Sequence, residues 1–220
     1  AFFMEICMQV AFMFDGSFFH KKMQIAKRPS GEPVTADDVL AVCEESFKNH
    51  ELRNDQLFRI YYYDCYPFSE VATNPISGQQ IHFGQTDVFR ARKRFVDDLK
   101  YRPRLAFRSG RLSNDGWQIP PNKTRGIIRK IQSGQSLEAR DVQINLNQKE
   151  VDIKIGLDIA WLASKRIVDK IVLVTGDSDF VPAMKFARRE GLMVYLVHLG
   201  HGIKDVLREH CDGIVEVQIS

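Results

Sequence analysis

The chain has 220 residues, of which 44% are apolar and 27% are charged, and its formal net charge is +3. This composition excludes a disordered chain, and the length suits one α/β domain with a substantial core. The four cysteines are scattered and form no CxxC pair. Such cysteines fit a reducing compartment, so we expect a cytoplasmic protein. No stretch reads as a membrane span, so we expect no membrane partner.

The first half of the chain begins with a strand pattern. The apolar run at 6–14 predicts a buried core strand, preceded by residues 1–3 as a start-site artefact. A helix is predicted after Thr35, its N-cap, and a second strand at 57–64. Residues 65–86 contain Pro and Gly signals that indicate a loop. Apolar residues at helical spacing then predict a helix from Asp87 to Lys100 with a basic face.

The second half alternates strands and helices after an interruption. The segment RLAFRSGRL at 104–112 predicts a third strand, whereas the polar stretch at about 113–150 is too long for an ordinary connection and indicates an insertion or flap. The patterns that follow predict, in order, a helix at 151–166, a strand leading into Asp177, a helix at 180–191, a strand at 192–200, a helix at 203–213 and a strand at 214–219. We therefore predict one domain over 1–220, a three-layer αβα fold with a central, mostly parallel sheet.

Acidic residues follow two of the predicted buried strands. Asp15 ends the first strand, Asp177 and Asp179 follow the fourth, and Asp152 opens the helix after the insertion. Parallel α/β sheets bind ligands at the carboxyl ends of their strands, so these four carboxylates are expected to meet in one crevice if the two strands are neighbours. Such crowding favours divalent cations, and oxygen ligands select Mg²⁺ or Mn²⁺ rather than Zn²⁺. The site would suit phosphoryl transfer.

Three nearby residues are expected to support these ligands. Asp158 lies six residues after Asp152, about 240° around a helix, so we expect it to hydrogen-bond a neighbouring loop rather than a metal. Thr175 and Ser178 belong to the same TGDSDF segment as the paired aspartates. A purely structural alternative remains, in which Ser178 or Asp179 caps a helix and the acid after the first strand belongs to a turn.

Positive charge concentrates in the middle of the chain. Residues 90–130 contain thirteen Lys or Arg and three acids, with aromatic residues among them. A field of this sign attracts phosphate backbones, although a solvated helix face is the plainer explanation. The candidate nucleic-acid contacts are Arg92, Lys93, Arg94, Lys123, Arg125 and Lys149.

Three blocks of the sequence carry a family resemblance. Asp15-Gly16, the segment KEVDIKIGLD at 149–158 and the segment VTGDSDF at 174–180 resemble the NYN family of PIN-like nucleases in order and spacing. The resemblance implies a FEN/PIN-like fold and Mg²⁺- or Mn²⁺-dependent cleavage of RNA, with the carboxylates as metal ligands. The chain departs from the family pattern at Phe18, where Asn is frequent, and at Glu150, where Gly is frequent.

We therefore predict a metal-dependent ribonuclease, of the endoribonuclease kind, acting on single-stranded or structured RNA. One alternative is a non-catalytic RNA-binding module of the same fold. A haloacid-dehalogenase-type phosphatase is a weaker one, because its chemistry needs a second Asp two residues after the first, where this chain has Ser17. The sequence leaves homo-oligomerisation open.

Overall fold

Parallel strands form the central sheet of the protein. The computed structural model describes residues 7–218, so the predicted artefact at 1–3, and the predicted strand ends at Ile6 and Ile219, lie outside the described residues. In chain order the strands are β1 (Gln9–Asp15), β2 (Gln56–Asp64), β3 (Val71–Thr73), β4 (Gln80–His82), β5 (Leu105–Ser109), β6 (Arg111–Gln118), β7 (Gln143–Lys149), β8 (Lys170–Val174), β9 (Met193–Val197) and β10 (Gly213–Ile214).

The α-helices connect these strands and cover the sheet. They are α1 (Gly16–Ala26), α2 (Ala36–Ser46), α3 (Asp87–Lys100), α4 (Thr124–Gln132), α5 (Val151–Ser164), α6 (Val181–Arg189) and α7 (Asp205–His210). Short 3₁₀ turns lie at Phe83–Gln85, Pro121–Lys123, Ala139–Asp141 and Ser178–Phe180.

The main sheet has six strands in the order β10-β9-β8-β1-β2-β5, and every neighbouring pair is parallel. The chain builds outward from β1 through β2 to β5, then crosses back to β8 on the other side of β1. The strand order therefore reverses between β1 and β8, which is where open α/β sheets bind ligands. The predicted parallel αβα fold is confirmed.

Two apolar clusters lie on opposite faces of this sheet. Along β1, Phe12 and Phe14 face a cluster built with α1, α2 and α3, whereas Ala11 and Met13 face a cluster built with α5, α6 and α7. Alternate residues of a strand point to opposite faces, so a strand covered on both sides must be apolar throughout. This explains why β1 reads as a continuous apolar run.

Several local elements differ from the sequence expectations. Gly16 begins a helix that was not predicted, and the expected loop at 65–86 contains the antiparallel pair β3 and β4. The predicted strand at 104–112 is divided, because β5 ends at Ser109 and β6 pairs with β7 in a separate antiparallel hairpin. The last strand is shorter than expected. Within residues 7–218, no helix has both the length and the apolar character needed to cross a membrane.

Two helical glycines predict opposite effects of the same substitution. In Gly16→Ala the added Cβ would lie 2.5 Å from the backbone oxygen of Tyr63 and 2.6 Å from Asp64 Oδ2, so we expect a loss of at least about 2 kcal/mol in the free energy of unfolding. Gly156→Ala is the matched control, because apart from the adjacent residues and the backbone of its own helix no heavy atom lies within 4 Å of its added Cβ. Alanine should stabilise that helix interior by about 0.5–1 kcal/mol. Urea unfolding measures the free energy of unfolding of both variants. A Gly16→Ala variant as stable as Gly156→Ala would contradict the close approach of Gly16 to Tyr63 and Asp64.

Candidate active site

Three segments bring aspartates to the carboxyl edge of the sheet. Asp15 is the last residue of β1, and Asp177 and Asp179 follow the end of β8. The two strands pair in parallel, so their ends lie side by side. Asp152 is in the first turn of α5, close enough to Asp177 and Asp179 for their charges to raise its pKa. From the sequence alone, the aspartates are expected to meet only if these two strands are neighbours, and β1 and β8 are neighbours.

A single hydroxyl joins the two strand ends. Thr175 Oγ1 donates to Asp15 Oδ2 at 3.2 Å and accepts from the backbone N–H of Asp177 at 3.1 Å. Asp177 Oδ1 in turn accepts from the backbone N–H of Asp179 at 3.0 Å. The other oxygen of Asp15 caps α1 by accepting from Phe18 N at 3.1 Å. Asp15 therefore caps α1 with one carboxylate oxygen and bonds Thr175, at the end of β8, with the other.

Negative charge gathers at this edge without cationic compensation, with Asp15 and Asp177 half-buried and Asp152 and Asp179 exposed. Burial raises the pKa of Asp15 to about 6, and repulsion from Asp152 and Asp64 adds to it. Burial also raises the pKa of Asp152, followed by repulsion from Asp177 and Asp179. In the part of the chain that the structure describes, no ion pair involves Asp15, Asp152, Asp177 or Asp179. A cation from outside the protein would relieve this repulsion.

Asp64 is a fifth carboxylate that the sequence analysis missed. It is the last residue of β2 and only 1% exposed. Arg92 forms an ion pair with Oδ2, while Oδ1 accepts from Gln148 Nε2 at 2.8 Å and from Cys65 N at 2.7 Å. Burial raises the pKa of Asp64 although Arg92 opposes the shift. Asp64 ends an apolar strand just as Asp15 does, so the same strand-end rule could have found it.

The β6–β7 hairpin contacts this edge through its second strand. Gln148 donates to Asp64, and its Oε1 accepts from Ser17 Oγ at 2.9 Å. The stretch predicted as an insertion or flap therefore hydrogen-bonds both the end of β2 and the first turn of α1. Glu150, directly after β7, has a backbone φ of 73°. This left-handed conformation favours glycine, which explains why the related family often has Gly there.

Phe18 forms an apolar contact beside the carboxylates. Its ring centroid lies 5.8 Å from that of His201, in an edge-to-face arrangement. A Cβ added to Gly176 would lie 2.8 Å from Phe18 Cε2 and 2.5 Å from His201 Cδ2. The loop after β8 therefore packs closely against both rings. At this position the chain offers a ring contact in place of a polar side chain.

The other expected supporting residues have different partners. Asp158 Oδ2 accepts from Tyr63 Oη at 2.9 Å and pairs with Arg108 Nε at 3.1 Å. It thus contacts side chains of two strands, not a loop as predicted, and no described hydrogen bond links it to the four aspartates. Ser178 Oγ accepts from Lys204 Nζ at 3.0 Å, which places a lysine beside the paired aspartates.

The basic segment is more neutralised than its sequence suggests. Eight of its thirteen basic side chains have an acidic partner in the described residues. Arg92 is a poorer phosphate ligand than predicted because Asp64 engages it, and Lys93 pairs with Asp97. Arg94 is exposed and has no described ion pair. The remaining candidates Lys123, Arg125 and Lys149 are also exposed, and Lys123 donates to the backbone oxygen of Arg140.

The donor set fits a divalent cation in its chemistry. Carboxylate oxygens are the hard ligands that Mg²⁺ and Mn²⁺ prefer, and the four aspartates have no cation of their own. Between residues 7 and 218, however, no three His, Cys, Asp or Glu side chains lie in an arrangement ready to hold a metal ion. Binding would therefore require the aspartate side chains to move closer together, which a cation between like charges promotes.

Comparisons with known proteins identify a family and a fold. The model of the NYN domain matches residues 79–218, nearly two thirds of the chain, and includes Asp152, Asp177 and Asp179 but not Asp15. Among solved structures, the chain is similar to a protein of unknown function from Vibrio parahaemolyticus, with a TM-score of 0.51 and 13% identity over 97% of this chain and 95% of that one. This likeness shows the fold alone. No curated protein matches the chain significantly.

Asp15→Asn should stabilise the protein in a pH-dependent way. The folded-state pKa of about 6 lies above the usual 3.8, so ionising Asp15 disfavours the folded state as pH rises from about 4 to 6. Asn keeps an oxygen for the helix cap but carries no charge. At pH 8, without divalent cations, we expect the variant to be more stable by about 1–3 kcal/mol in urea unfolding. At pH 4 the difference should nearly vanish.

Asp87→Asn is the control for charge removal, because Asp87 is 96% exposed by side chain and lies in the first turn of α3. Its stability should change by less than about 0.5 kcal/mol at either pH. A lower stability of Asp15→Asn at pH 8 would show that the carboxylate stabilises the fold.

Proposed function

This chain belongs to the NYN domain family of the PIN-like nuclease superfamily, and from this membership we propose that it is a Mg²⁺- or Mn²⁺-dependent ribonuclease of the endoribonuclease kind. The family indicates a nuclease-type function. The metal, the RNA substrate and the position of cleavage within a strand are our proposal.

One observation carries the proposal: four aspartates, of which Asp15 is half-buried, meet at the switch point of the sheet with no cationic partner among the described residues. Asp15 and Asp152 both have pKa values raised first by burial and then by neighbouring carboxylates. Structural aspartates are normally paired with a cation, as Asp64 is with Arg92. Carboxylates held together without such a partner are costly unless a ligand uses them, and perturbed groups of this kind concentrate at functional sites.

Asp15, Asp152, Asp177 and Asp179 would hold the cation. A divalent ion held there would lower the pKa of the attacking water and stabilise the charge on the leaving oxygen. The chain's own residues orient the ligands. Thr175 holds Asp15 and the Asp177 backbone in one hydrogen-bonded unit.

Two lysines border the site. Lys204 contacts Ser178, and Lys22 Nζ lies 2.9 Å from His201 Nδ1. Lys204 is exposed and Lys22 is half-exposed, and neither has a described acidic partner, so either ammonium can donate to an RNA phosphate oxygen. They would draw the substrate backbone toward the carboxylate edge.

The alternatives make different demands on the same residues. A phosphatase of the haloacid-dehalogenase type needs an acid where Ser17 is, and the Ser17 hydroxyl hydrogen-bonds Gln148. A non-catalytic RNA-binding module would explain Phe18 in place of a polar group, and it predicts RNA binding without cleavage in any metal. The cytoplasmic location and the oligomeric state stay predictions from the sequence.

Asp177→Asn should abolish RNA cleavage. The purified protein is incubated with a fluorophore-labelled single-stranded RNA in Mg²⁺, in Mn²⁺ and in EDTA, and the products are separated by gel electrophoresis. We expect internal cleavage in at least one metal, none in EDTA, and a rate at least about 100-fold lower for Asp177→Asn, because a lost ligand removes charge stabilisation of the transition state.

Asp87→Asn is again the matched control and should cleave at the wild-type rate, because its side chain points to solvent at the start of α3. Wild-type protein that binds RNA but does not cleave it in either metal would favour the non-catalytic module. Cleavage that persists in EDTA would remove the metal from the proposal.

Asp15→Ala should lose cleavage in both metals. The charges of Asp152 and Asp64 both raise the pKa of Asp15, after burial, so we propose that Asp15 binds the cation directly. Alanine supplies no oxygen, and the tighter binding of Mn²⁺ would not replace a missing ligand. Cleavage assays of the wild type and the Asp15→Ala variant, run in parallel in each metal, test whether Asp15 binds the cation directly. Substantial recovery in Mn²⁺ alone would assign Asp15 to positioning water, with the nuclease function intact.

A further inference from the structure

A large groove lies between α1 and α3 beside the carboxylate edge. Its volume is about 1420 Å³, and the segment between α1 and α2 contributes one wall. Small-molecule pockets usually have volumes of about 300–1,000 Å³, so this groove suits an extended ligand better than a compact one. The α1 residues that line it are spaced at helical intervals and thus form one face, and the turn after α1 adds two more: Ser17, His20, Lys21 and Gln24 on the helix, then Lys27 and Arg28.

The charge available in this groove is positive. Lys21, Arg28 and Arg94 line it and have no acidic partner among the described residues, against Glu32 as the unpaired acid. The remaining charged lining residues are neutralised within the protein by the pairs Lys27–Asp38, Arg92–Asp64, Lys93–Asp97 and Arg102–Asp98. A ligand in the groove therefore meets free guanidinium and ammonium groups, which phosphates match.

Exposed apolar side chains line the same groove as these cations. Tyr101, at the end of α3, is 86% exposed, and Val88, in its first turn, is 80% exposed. Phe95, only 5% exposed, forms part of the floor and packs its ring against His20, with centroids 5.4 Å apart. An exposed aromatic ring beside free cations is the kind of surface that binds the bases and backbone of a single strand. Tyr101 could stack only on a base that is free of a duplex.

The groove is continuous with the site described above. Ser17 lines its near end and hydrogen-bonds Gln148, which holds Asp64. Arg92 forms part of the wall and pairs with the same carboxylate. From Ser17 to Gln24 along α1 the helical rise spans about 10 Å, and Lys27 and Arg28 follow directly after the helix, so the lining cations lead away from the carboxylate edge.

We propose that this groove binds a single-stranded segment of the RNA substrate on one side of the cleaved phosphodiester. Lys21, Arg28 and Arg94 contact its phosphates, and Tyr101 stacks on a base. The substrate class rests on the proposed ribonuclease function. The groove assignment is separate, because it concerns binding and not the carboxylates.

Binding of a fluorescein-labelled oligouridylate, measured by fluorescence polarisation in EDTA, tests the groove without cleavage. We expect the double variant Lys21→Glu/Arg94→Glu to bind at least about tenfold more weakly than wild type. The slope of log affinity against log salt should become shallower by about 1.4, or 0.7 for each lost phosphate contact. The control is Lys185→Glu/Arg189→Glu on α6, across the sheet, which should bind like wild type.

Tyr101→Ala tests the stacking contact, and we expect about a tenfold loss of affinity for the single strand. Its control is Trp161→Ala, since Trp161 is a half-exposed aromatic residue on α5, on the opposite side of the sheet. A duplex RNA of the same length should bind wild type more weakly. Equal affinity for the duplex would overturn the single-strand assignment.

The outcomes separate this inference from the nuclease function. Normal binding by the double variant, or no binding of oligouridylate by wild type at low salt, overturns the groove even if RNA is cleaved. If the double variant weakens binding but the wild-type protein never cleaves RNA, the groove assignment is supported and the proposed ribonuclease function is contradicted. Thermal melting checks each variant, and if the charge reversal prevents folding, Lys21→Gln/Arg94→Gln provides the same comparison with a smaller expected loss.

Discussion

The parallel pairing of β1 with β8 is the constraint on which the candidate site depends. Both strands are covered by helices on their two faces, so their polar groups can appear only at their ends. The pairing places the end of β1 beside the loop that follows β8, and Thr175 closes the gap by bonding Asp15 and Asp177 N. Without that adjacency, the aspartates would be separate helix caps and turn residues.

Buried Asp64 and half-buried Asp15 show different solutions to the cost of withdrawing a carboxylate from water. Asp64 has Arg92 and Gln148 as partners and forms part of the framework that joins β2 to α3 and the β6–β7 hairpin. Asp15 has only neutral donors and other carboxylates around it. The charge of Asp64 is compensated within the protein, whereas the charge of Asp15 would be stabilised by an added cation.

Charge within the basic segment divides in a similar way. Most of its basic side chains pair with acids, some within α3 and others on α2, β2, α5 or the connection between β6 and β7, so little of their positive charge is available to a ligand. Arg94 differs because it faces the groove without such a partner. A net charge counted along the sequence therefore overstates what a nucleic acid meets, and the arrangement in space decides which cations remain available.

The sequence by itself determined the parallel αβα fold, the buried strands β1, β2 and β8, and the family blocks around Asp152 and Asp177, because apolar runs and strand-end acids are local signals. Only the tertiary structure decided the role of Asp64, the partner of Arg92, the contacts of Asp158, and the pairing of β6 with β7. Each depends on residues that are 28 to 95 positions apart or on a register between strands. Such contacts arise from packing, which a local pattern does not specify.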